Sequence, residues 1–273
     1  MKLVVLLTDW GTKSYYQGVA KGVIKQIAPE VEIIDLTHEV EPFSVREAMH
    51  VLFRAYRDFP KGAVFMCVVD SGVGTERKAV AFETKSGYFF VGPDNGLFTL
   101  VAQEDEVLRI VELRNPEYFY KPTPSFSFHG RDIFASVSAY IAKGIDLSAF
   151  GKRLESLVLL PYEKARKEDG KIFGEVAFFD RFGNVETNIP GILCEEIQLQ
   201  SKVAIFIEGK ELSAVYCRTY SDVAPGEFLI HPDSSGFIEI AINQGNAKKR
   251  LKLKAGQGIE IFPLHELLFN PLD

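Results

Sequence analysis

Residues 3–11 read LVVLLTDWG, an unbroken apolar run that ends in a Thr-Asp pair. Such a run is typical of a strand buried on both faces, as in the parallel sheets of α/β proteins. Apolar residues at helical spacing follow over 15–27, and a second short apolar strand pattern covers 31–36. Strand and helix signals therefore alternate from the start, which predicts a mostly parallel sheet with helices on both of its faces.

The alternation continues to about residue 160, so residues 1–162 are assigned to one α/β domain. The further predicted elements are strands over 63–69, 79–83 and 88–91 and helices over 44–58 and 131–143. The last of these helices is closed by Gly144, a residue that commonly ends helices.

The composition and the secondary-structure pattern of the sequence change near Pro161. Residues 163–171 read EKARKEDGK, a strongly charged stretch that predicts a solvated linker. From 172 to 273 the chain shows short strand patterns separated by turn residues and no long helical pattern. This half is predicted to form a smaller all-β sandwich or barrel.

Composition excludes several classes of protein. Among the 273 residues, 47% are hydrophobic and 25% are charged, as in ordinary globular proteins. The longest apolar runs fall far short of the ~20 residues that span a bilayer, so no membrane segment is expected. A net charge of −6 and a pI of about 5.5 argue against nucleic acid as a partner.

The first residues and the cysteines indicate the cellular compartment of the protein. The first apolar run passes directly into Thr8-Asp9 without a small-residue cleavage site, so no signal peptide is expected. Cys67, Cys194 and Cys217 are odd in number and widely spaced, which favours buried thiols in a reducing compartment. We therefore expect a cytoplasmic protein.

Three predicted strands end in polar residues, at Asp9, at Asp70 and at Asp94-Asn95. Ligands of open α/β sheets bind beyond the carboxyl ends of the strands, so these side chains are expected to approach one crevice. Asp and Asn are also common turn formers, and that alternative is most serious for Asp94-Asn95. Arg77 follows Asp70 closely enough either to pair with it or to remain a surface residue.

His129 stands directly before a predicted helix. The positive end of the helix dipole disfavours an imidazolium there, so a neutral ring is expected. Asp132 suits the same dipole and is expected to be structural. The other histidines show no zinc-ligand spacing, and no Walker lysine or Gly-x-Ser-x-Gly elbow is present. No metal site is predicted.

In the second half, Asp180-Arg181-Phe182-Gly183-Asn184 and Ser234-Ser235-Gly236 flank short strands, and Asn243 ends another. Two readings remain open at this point. They are two β-turns, or they form a rim of amide and hydroxyl groups suited to a purine or an amino acid.

The polar segments together form a set that resembles one known family. They are Thr8-Asp9-x-Gly11, Val69-Asp70-Ser71-Gly72-Val73-Gly74-Thr75-x-Arg77, Gly92-Pro93-Asp94-Asn95-Gly96, Phe128-His129-Gly130-Arg131-Asp132, the segment from Asp180 to Asn184, and Ser234-Ser235-Gly236. Their order resembles the S-adenosyl-L-methionine (SAM) hydroxide adenosyltransferases, or SAM hydrolases, relatives of the SAM-dependent fluorinase and chlorinase. The resemblance covers nearly the whole chain.

The resemblance implies an α/β domain, a carboxyl-terminal β-barrel, and a homotrimer with active sites between subunits. It assigns Asp70, Arg77 and His129 as the catalytic set and Asp9 as the ribose ligand. Trp10 stands where relatives usually carry Phe or Leu. With the crevice residues included, the expected substrate-binding set is Asp9, Trp10, Asp94, Asn95, Phe128, Asp180, Asn184, Ser234 and Asn243.

The reaction implied is attack of water at C5′ of SAM, which gives adenosine and L-methionine without a metal or an organic cofactor. The resemblance also implies how halogenases differ: they hold the halide with hydroxyl and amide groups and carry an inserted loop. Here only residues 78–92 separate Arg77 from Pro93, and the Asp70 carboxylate would repel a halide. A non-catalytic SAM or adenosine sensor would lack the Asp–Arg–His set, and a metal-dependent phosphohydrolase would carry clustered ligands.

Overall fold

The structure is a computed structural model that describes residues 2–264. The chain divides into two compact units, and the boundary falls between Pro161 and Tyr162. The first unit contains a mixed sheet with helices, and the second contains a closed β-barrel. The two-domain prediction of an α/β part followed by an all-β barrel is confirmed.

The first unit is built on one seven-stranded sheet. Its strands are β1 Leu3–Thr8, β2 Glu32–Thr37, β3 Val64–Val68, β4 Ala79–Thr84, β5 Phe89–Pro93, β6 Val107–Leu113 and β7 Gly151–Leu154. Its helices are α1 Tyr16–Ile27, α2 Val45–Ala55, α3 Thr99–Glu104 and α4 Ser136–Ala142, and a π-helical segment, Gly130–Ala135, directly precedes α4. The strand order is β2-β1-β3-β5-β4-β6-β7.

The prediction of a mostly parallel sheet is wrong. β2, β1, β3 and β5 run parallel, whereas β4, β6 and β7 pair antiparallel with their neighbours. The reason is local: only residues 85–88 join β4 to β5, and a parallel crossover needs about a dozen residues or more. Gly87, at φ +89°, supplies the left-handed residue of this hairpin turn.

β1 is the best-buried strand of the first sheet. All six of its residues are buried, as the apolar run predicts. Val4 and Leu6 pack in one core cluster with residues of α1 and α4, whereas Leu3, Val5 and Leu7 pack in another with residues of α2. The carboxyl end of β1, where Asp9 follows, is therefore held rigidly.

The second unit contains eight strands and one short helix within the described residues. They are β8 Arg166–Glu168, β9 Lys171–Phe179, β10 Val185–Pro190, β11 Lys202–Ile207, β12 Lys210–Tyr216, β13 Phe228–Pro232, β14 Phe237–Ile242, β15 Gly258–Pro263 and α5 Ala247–Leu251. The barrel closes through β9-β10-β14-β13-β12-β11-β15 and back to β9. The predicted end of this domain at residue 273 lies outside the described residues.

The segment 163–171 is not simply a linker, because Arg166–Glu168 form β8 and pair antiparallel with β9. All three side chains of β8 are exposed. β8 lies at the edge of its sheet and is held by backbone hydrogen bonds to β9. Exposed charged side chains are compatible with an edge strand. The strand β10 was also missed, since its polar residues Glu186, Thr187 and Asn188 gave no apolar run although the structure buries them.

Candidate active site

A cavity of about 400 Å³ opens at one edge of the first sheet. Asp9 follows β1 and Asp70 follows β3, and both line it. β1 and β3 are adjacent parallel strands, so their carboxyl ends meet at the same edge. The other lining residues include Trp10, Tyr16, Phe43, Val73, Phe128 and His129.

Asp70 and Arg77 form a buried ion pair beside this cavity. Arg77 Nε donates to Asp70 Oδ1 at 2.9 Å and to Oδ2 at 3.0 Å, and Nη2 makes a further close contact with Oδ2. The two side chains are only 6% and 9% exposed. The pairing alternative for Arg77 is thus confirmed.

The loop between these two residues is folded tightly enough to bring them together. Thr75 Oγ1 donates to the carbonyl of Gly72 at 2.7 Å. Gly74 has φ +77°, and a Cβ on it would lie 2.4 Å from the carbonyl oxygen of Phe126. The conformation of Gly72 and Gly74 thus helps to return Arg77 to Asp70.

His129 joins the pair through the same guanidinium. Arg77 Nη2 lies 3.1 Å from His129 Nδ1. Because a guanidinium can only donate, Nδ1 must accept, and the proton of the neutral ring sits on Nε2. Burial, reinforced by the Arg77 charge, holds the pKa of His129 below its ordinary value. Burial and the Arg77 charge thus both favour the neutral ring that the sequence predicts.

The predicted helix after His129 begins as the π-helical segment Gly130–Ala135. Such segments are frequent at functional sites, where they re-aim side chains. Asp132 is fully buried, accepts from Ser125 N at 2.8 Å and pairs with Arg131 at 2.6 Å. Burial opposes its ionisation, but these hydrogen bonds prevail and lower the pKa of Asp132. Asp132 therefore fixes the loop that carries His129, as expected of a structural residue.

Asp9 is held by the loop that follows β2. The backbone N–H of Phe43 donates to Asp9 Oδ2 at 2.9 Å. Burial raises the pKa of Asp9 above its ordinary value, the Phe43 N–H opposes this, and the Asp70 charge adds to it. Phe43 has φ +67°, an uncommon conformation for a bulky residue. Asp9 is thus a partly desolvated carboxylate with one oxygen already engaged.

Aromatic rings form the apolar wall of the cavity. The rings of Trp10 and Phe128 lie edge to face with their centroids 5.6 Å apart, and Tyr16 contacts Phe128 at 5.0 Å. Tyr16 and Phe43 were not singled out from the sequence. The available signal for Phe43 was its place after β2, the third parallel strand that ends at this edge.

Asp94 and Asn95 do not line the cavity formed by the described residues. Asp94 Oδ1 accepts the backbone N–H of Val158 at 2.8 Å, and Asn95 Nδ2 donates to the carbonyl of Val69 at 2.8 Å. The structure therefore does not place these two predicted substrate ligands at the crevice. Their side chains tie the end of β5 to neighbouring backbone, which is the turn-forming alternative.

The predicted ligands of the second unit lie around the barrel. Asp180 accepts from both the backbone and the side-chain nitrogen of Asn184, at 2.7 and 2.9 Å. Asn243 Nδ2 donates to the carbonyl of Val223 at 2.7 Å, so this amide already has a backbone partner. Ser234 lies in the exposed turn between β13 and β14. The Asp180–Asn184 pair is a built polar site, and the other two residues are not joined to it by any observed contact in the described chain.

One carboxylate cluster has the donor set of a cation site. Oxygen atoms of Asp180, Glu186 and Glu239 all lie within 4.8 Å of one another. Glu239 Oε1 accepts a hydrogen bond from the Tyr220 hydroxyl at 2.8 Å and lies 3.2 Å from His231 Nε2. Burial opposes the charge of Glu239, but these partners prevail and keep its pKa below the ordinary value. Within this cluster, Glu239 therefore has hydrogen-bond partners of its own.

A buried carboxylate–guanidinium–imidazole group at the edge of an α/β sheet, followed by a closed barrel, defines a two-domain enzyme. The chain belongs to the SAM hydroxide adenosyltransferase family. The family's N-terminal domain model matches residues 4–151, and its C-terminal domain model matches residues 174–260.

Individual relatives agree with this assignment. The (R)-S-adenosyl-L-methionine hydrolase of Salinispora arenicola is 37% identical, over 93% of this chain and 95% of its own length. A crystal structure of a conserved protein from Thermotoga maritima is 52% identical with a TM-score of 0.90, over 95% of this chain and 99% of that one. A fluorinase of Nocardia brasiliensis is more distant, at 27% identity over 95% of this chain and 96% of its own.

Proposed function

We propose that this enzyme hydrolyses S-adenosyl-L-methionine to adenosine and L-methionine by attack of water at C5′. The observation that carries the proposal is that Asp70 and His129, which are joined by Arg77, line the same cavity as Asp9. Family membership and the printed names of the hydrolase relatives support the choice of substrate.

We further propose that the (R) epimer at sulfur is the preferred substrate. The sulfonium sulfur bears three different carbon groups and a lone pair, so it is a stereocentre. The relatives from Salinispora arenicola and Thermus thermophilus carry (R) in their names. Inversion at sulfur redirects the methyl group and the methionine chain, so a shaped site distinguishes the two epimers.

The chemistry needs a base more than an acid. A bond forms between the water oxygen and C5′ while the C5′–S bond breaks, and its electron pair leaves with sulfur as neutral methionine. No acid is required for such a leaving group. The water proton passes to Asp70 as positive charge develops on the attacking oxygen, a role that typically contributes 10²–10⁴-fold.

Arg77 and His129 support Asp70 in different ways. Arg77 Nε donates to both oxygens of the Asp70 carboxylate and so fixes its orientation. His129 is neutral with its proton on Nε2, so it can orient the water or relay the proton to solvent. Alignment of water with the C5′–S bond supplies the larger part of the acceleration, since well-oriented reactions gain roughly 7–11 kcal/mol.

Asp9 is proposed to accept hydrogen bonds from the ribose hydroxyls. Its Oδ2 is engaged by Phe43 N–H, which fixes the carboxylate plane. Trp10 and Phe128 are proposed to pack against the nucleoside. In the second unit, Asp180 and Asn184, and with them Ser234 and Asn243, are proposed to bind the methionine ammonium and the adenine.

A homotrimer with active sites between subunits is also proposed. It is supported by large apolar side chains at or beside the cavity that are exposed in the single chain, namely Tyr15 at 69%, Phe43 at 70% and Phe126 at 86%. Surfaces of this kind mark interaction sites.

We propose that the protein is cytoplasmic. We also propose that it works without a metal, an organic cofactor or a nucleic acid partner. Cys67, Cys194 and Cys217 are free and buried, as suits a reducing compartment. Across residues 2–264, no helix combines the length and the apolar character that crossing a membrane requires.

Helices on both faces of the first sheet are proposed as the finer architecture. Alternate residues of β1 point to opposite faces, and they pack with α1 and α4 in one cluster and with α2 in the other.

A halogenase is the second candidate, and the fluorinase relatives favour it. The carboxylate of Asp70 on the cavity wall opposes it, since a halide beside that charge would be repelled. Incubation with each SAM epimer, in chloride, in fluoride and in buffer alone, followed by chromatography, separates the two. Adenosine and methionine in equal amounts support hydrolysis, whereas a 5′-halogenated nucleoside as the major product supports the alternative.

A further inference from the structure

A buried histidine, His38, links the carboxyl ends of β1 and β2 behind the cavity. Its side chain is 3% exposed. Nδ1 lies 2.7 Å from Thr8 Oγ1, and Nε2 lies 3.1 Å from Asp35 Oδ1. Asp35 Oδ2 in turn accepts from Lys21 Nζ at 2.6 Å. The imidazole thus sits between a charged pair on one side and the hydroxyl that precedes Asp9 on the other.

The Thr8 hydroxyl joins His38 to Trp10. Its oxygen accepts the backbone N–H of Trp10 at 3.2 Å and lies 2.7 Å from His38 Nδ1, within hydrogen-bond distance. Asp35 Oδ1 is 3.1 Å from His38 Nε2, an ion-pair distance at which the angles do not make a hydrogen bond. One hydrogen-bonded path therefore runs from Trp10 through Thr8 to the imidazole.

His38 holds the residues on both sides of Asp9. Its ring is nearly parallel to the Trp10 indole, at 10° and with centroids 6.5 Å apart. Its carbonyl accepts the backbone N–H of Gly11 at 2.6 Å. Asp9 and Trp10 line the cavity, whereas His38 lies behind them and does not.

We propose that His38 is a positioning residue, which fixes the Trp10 indole and the Asp9 carboxylate for the nucleoside part of the substrate. The inference rests on the proposed function insofar as the nucleoside is that of SAM. Without the imidazole, the Thr8 hydroxyl loses its hydrogen-bond partner, and the indole loses the ring stacked against it. The segment 8–11 then samples several arrangements, only some of which bind ribose.

The chain offers matched variants for a test. His38→Phe keeps an aromatic ring beside Trp10 but removes the hydrogen bond between Nδ1 and Thr8 and the contact of Nε2 with Asp35. His38→Gln supplies one acceptor and one donor in place of the two ring nitrogens. His50→Phe is the control, since His50 is equally buried at 3% exposure but lies on α2 and does not line the cavity.

Trp10 is the single tryptophan of the sequence, so intrinsic fluorescence reports on this position alone. Adenosine and 2′-deoxyadenosine are titrated while Trp10 emission is recorded, and thermal denaturation is measured for each variant. We expect His38→Phe to weaken adenosine binding by about fivefold to tenfold, as for the loss of one hydrogen bond. In His38→Phe the preference for adenosine over 2′-deoxyadenosine should fall as well. His38→Gln should recover most of the adenosine affinity and most of this preference.

His50→Phe should reduce the melting temperature and leave both affinities unchanged. If His38→Phe binds both nucleosides as wild type does, or if His50→Phe shows the same losses, His38 is merely structural and the inference is overturned. Wild-type protein that binds adenosine but releases none from SAM would refute the proposed hydrolysis alone. Wild-type protein that binds neither would refute both.

Discussion

Removal of the Asp70 carboxylate tests the base that the proposed reaction requires. Asp70→Asn keeps the size of the side chain but removes its charge, and Asp70→Ala removes the group. We expect hydrolysis to fall by 10²–10⁴-fold in either variant, equal to about 3–5 kcal/mol of transition-state stabilisation. Adenosine should still bind, because the proposed contact of Asp70 is with the water and not with the nucleoside.

The same change has a predictable cost in stability. Arg77 is only 9% exposed and directs Nε and Nη2 at Asp70. Breaking a buried ion pair by removing one partner typically costs about 3–5 kcal/mol, because the remaining charge stays buried. Asp70→Ala should approach this loss, and Asp70→Asn should lose less, since its amide oxygen still accepts from the guanidinium.

The assay combines three measurements on each variant: adenosine release by chromatography, adenosine affinity from Trp10 fluorescence, and unfolding in denaturant. Asp105→Asn is the matched control, since Asp105 is 6% exposed, accepts from Ser86 and lies away from the cavity lining. The control should keep its turnover. An Asp70 variant that retains more than about a tenth of wild-type turnover would refute the role of Asp70 as proton acceptor.

Three further predictions concern neighbouring residues. Asp9→Asn should weaken nucleoside binding and abolish most of the penalty for 2′-deoxy substrates; a full penalty in the variant would show that Asp9 does not contact the ribose. Gly130→Ala would place its Cβ 2.5 Å from Trp10 Cζ2, so the indole must shift. The KM of Gly130→Ala for SAM should rise, and its Trp10 emission should change. If neither changes, the close packing of Gly130 against Trp10 is contradicted. Burial and Arg77 lower the pKa of His129, so the unfolded chain binds this proton more readily and the free energy of unfolding should rise with pH up to about 6.5. In His129→Gln this rise should be smaller, and a slope equal to that of wild type would contradict the assignment.

The sequence predicted those parts of the site that depend on strand polarity. The apolar run of β1 and the strand before Asp70 were long enough to identify, and parallel neighbours bring their ends together by geometry alone. The spacing of Asp70 and Arg77 allowed them to pair but did not distinguish pairing from a surface position for Arg77. The positions of the Asp94 and Asn95 side chains away from the cavity could not be predicted. Both side chains bind backbone groups that are close in space but distant in sequence.

The missed strands are of two kinds. β6, an interior strand of seven residues, was not predicted although most of its residues are apolar. β7 was not predicted and β8 was read as linker; both are short strands at a sheet edge, which are stabilised by their partners and not by a pattern of their own. The hairpin β4–β5 shows the same limit: both strands were predicted, but the antiparallel pairing depends on a turn whose geometry the strand pattern does not contain.

Hydrolysis in water enriched in ¹⁸O tests the central claim most directly. If Asp70, Arg77 and His129 direct a water at C5′, each turnover should place one labelled oxygen in the 5′-hydroxyl of adenosine, and methionine should leave unlabelled with its methyl group intact. Excess chloride should not change the product. Unlabelled adenosine would mean that another oxygen attacks C5′, and 5′-chloro-5′-deoxyadenosine as the major product would mean that halide does; either result would contradict direct attack by water.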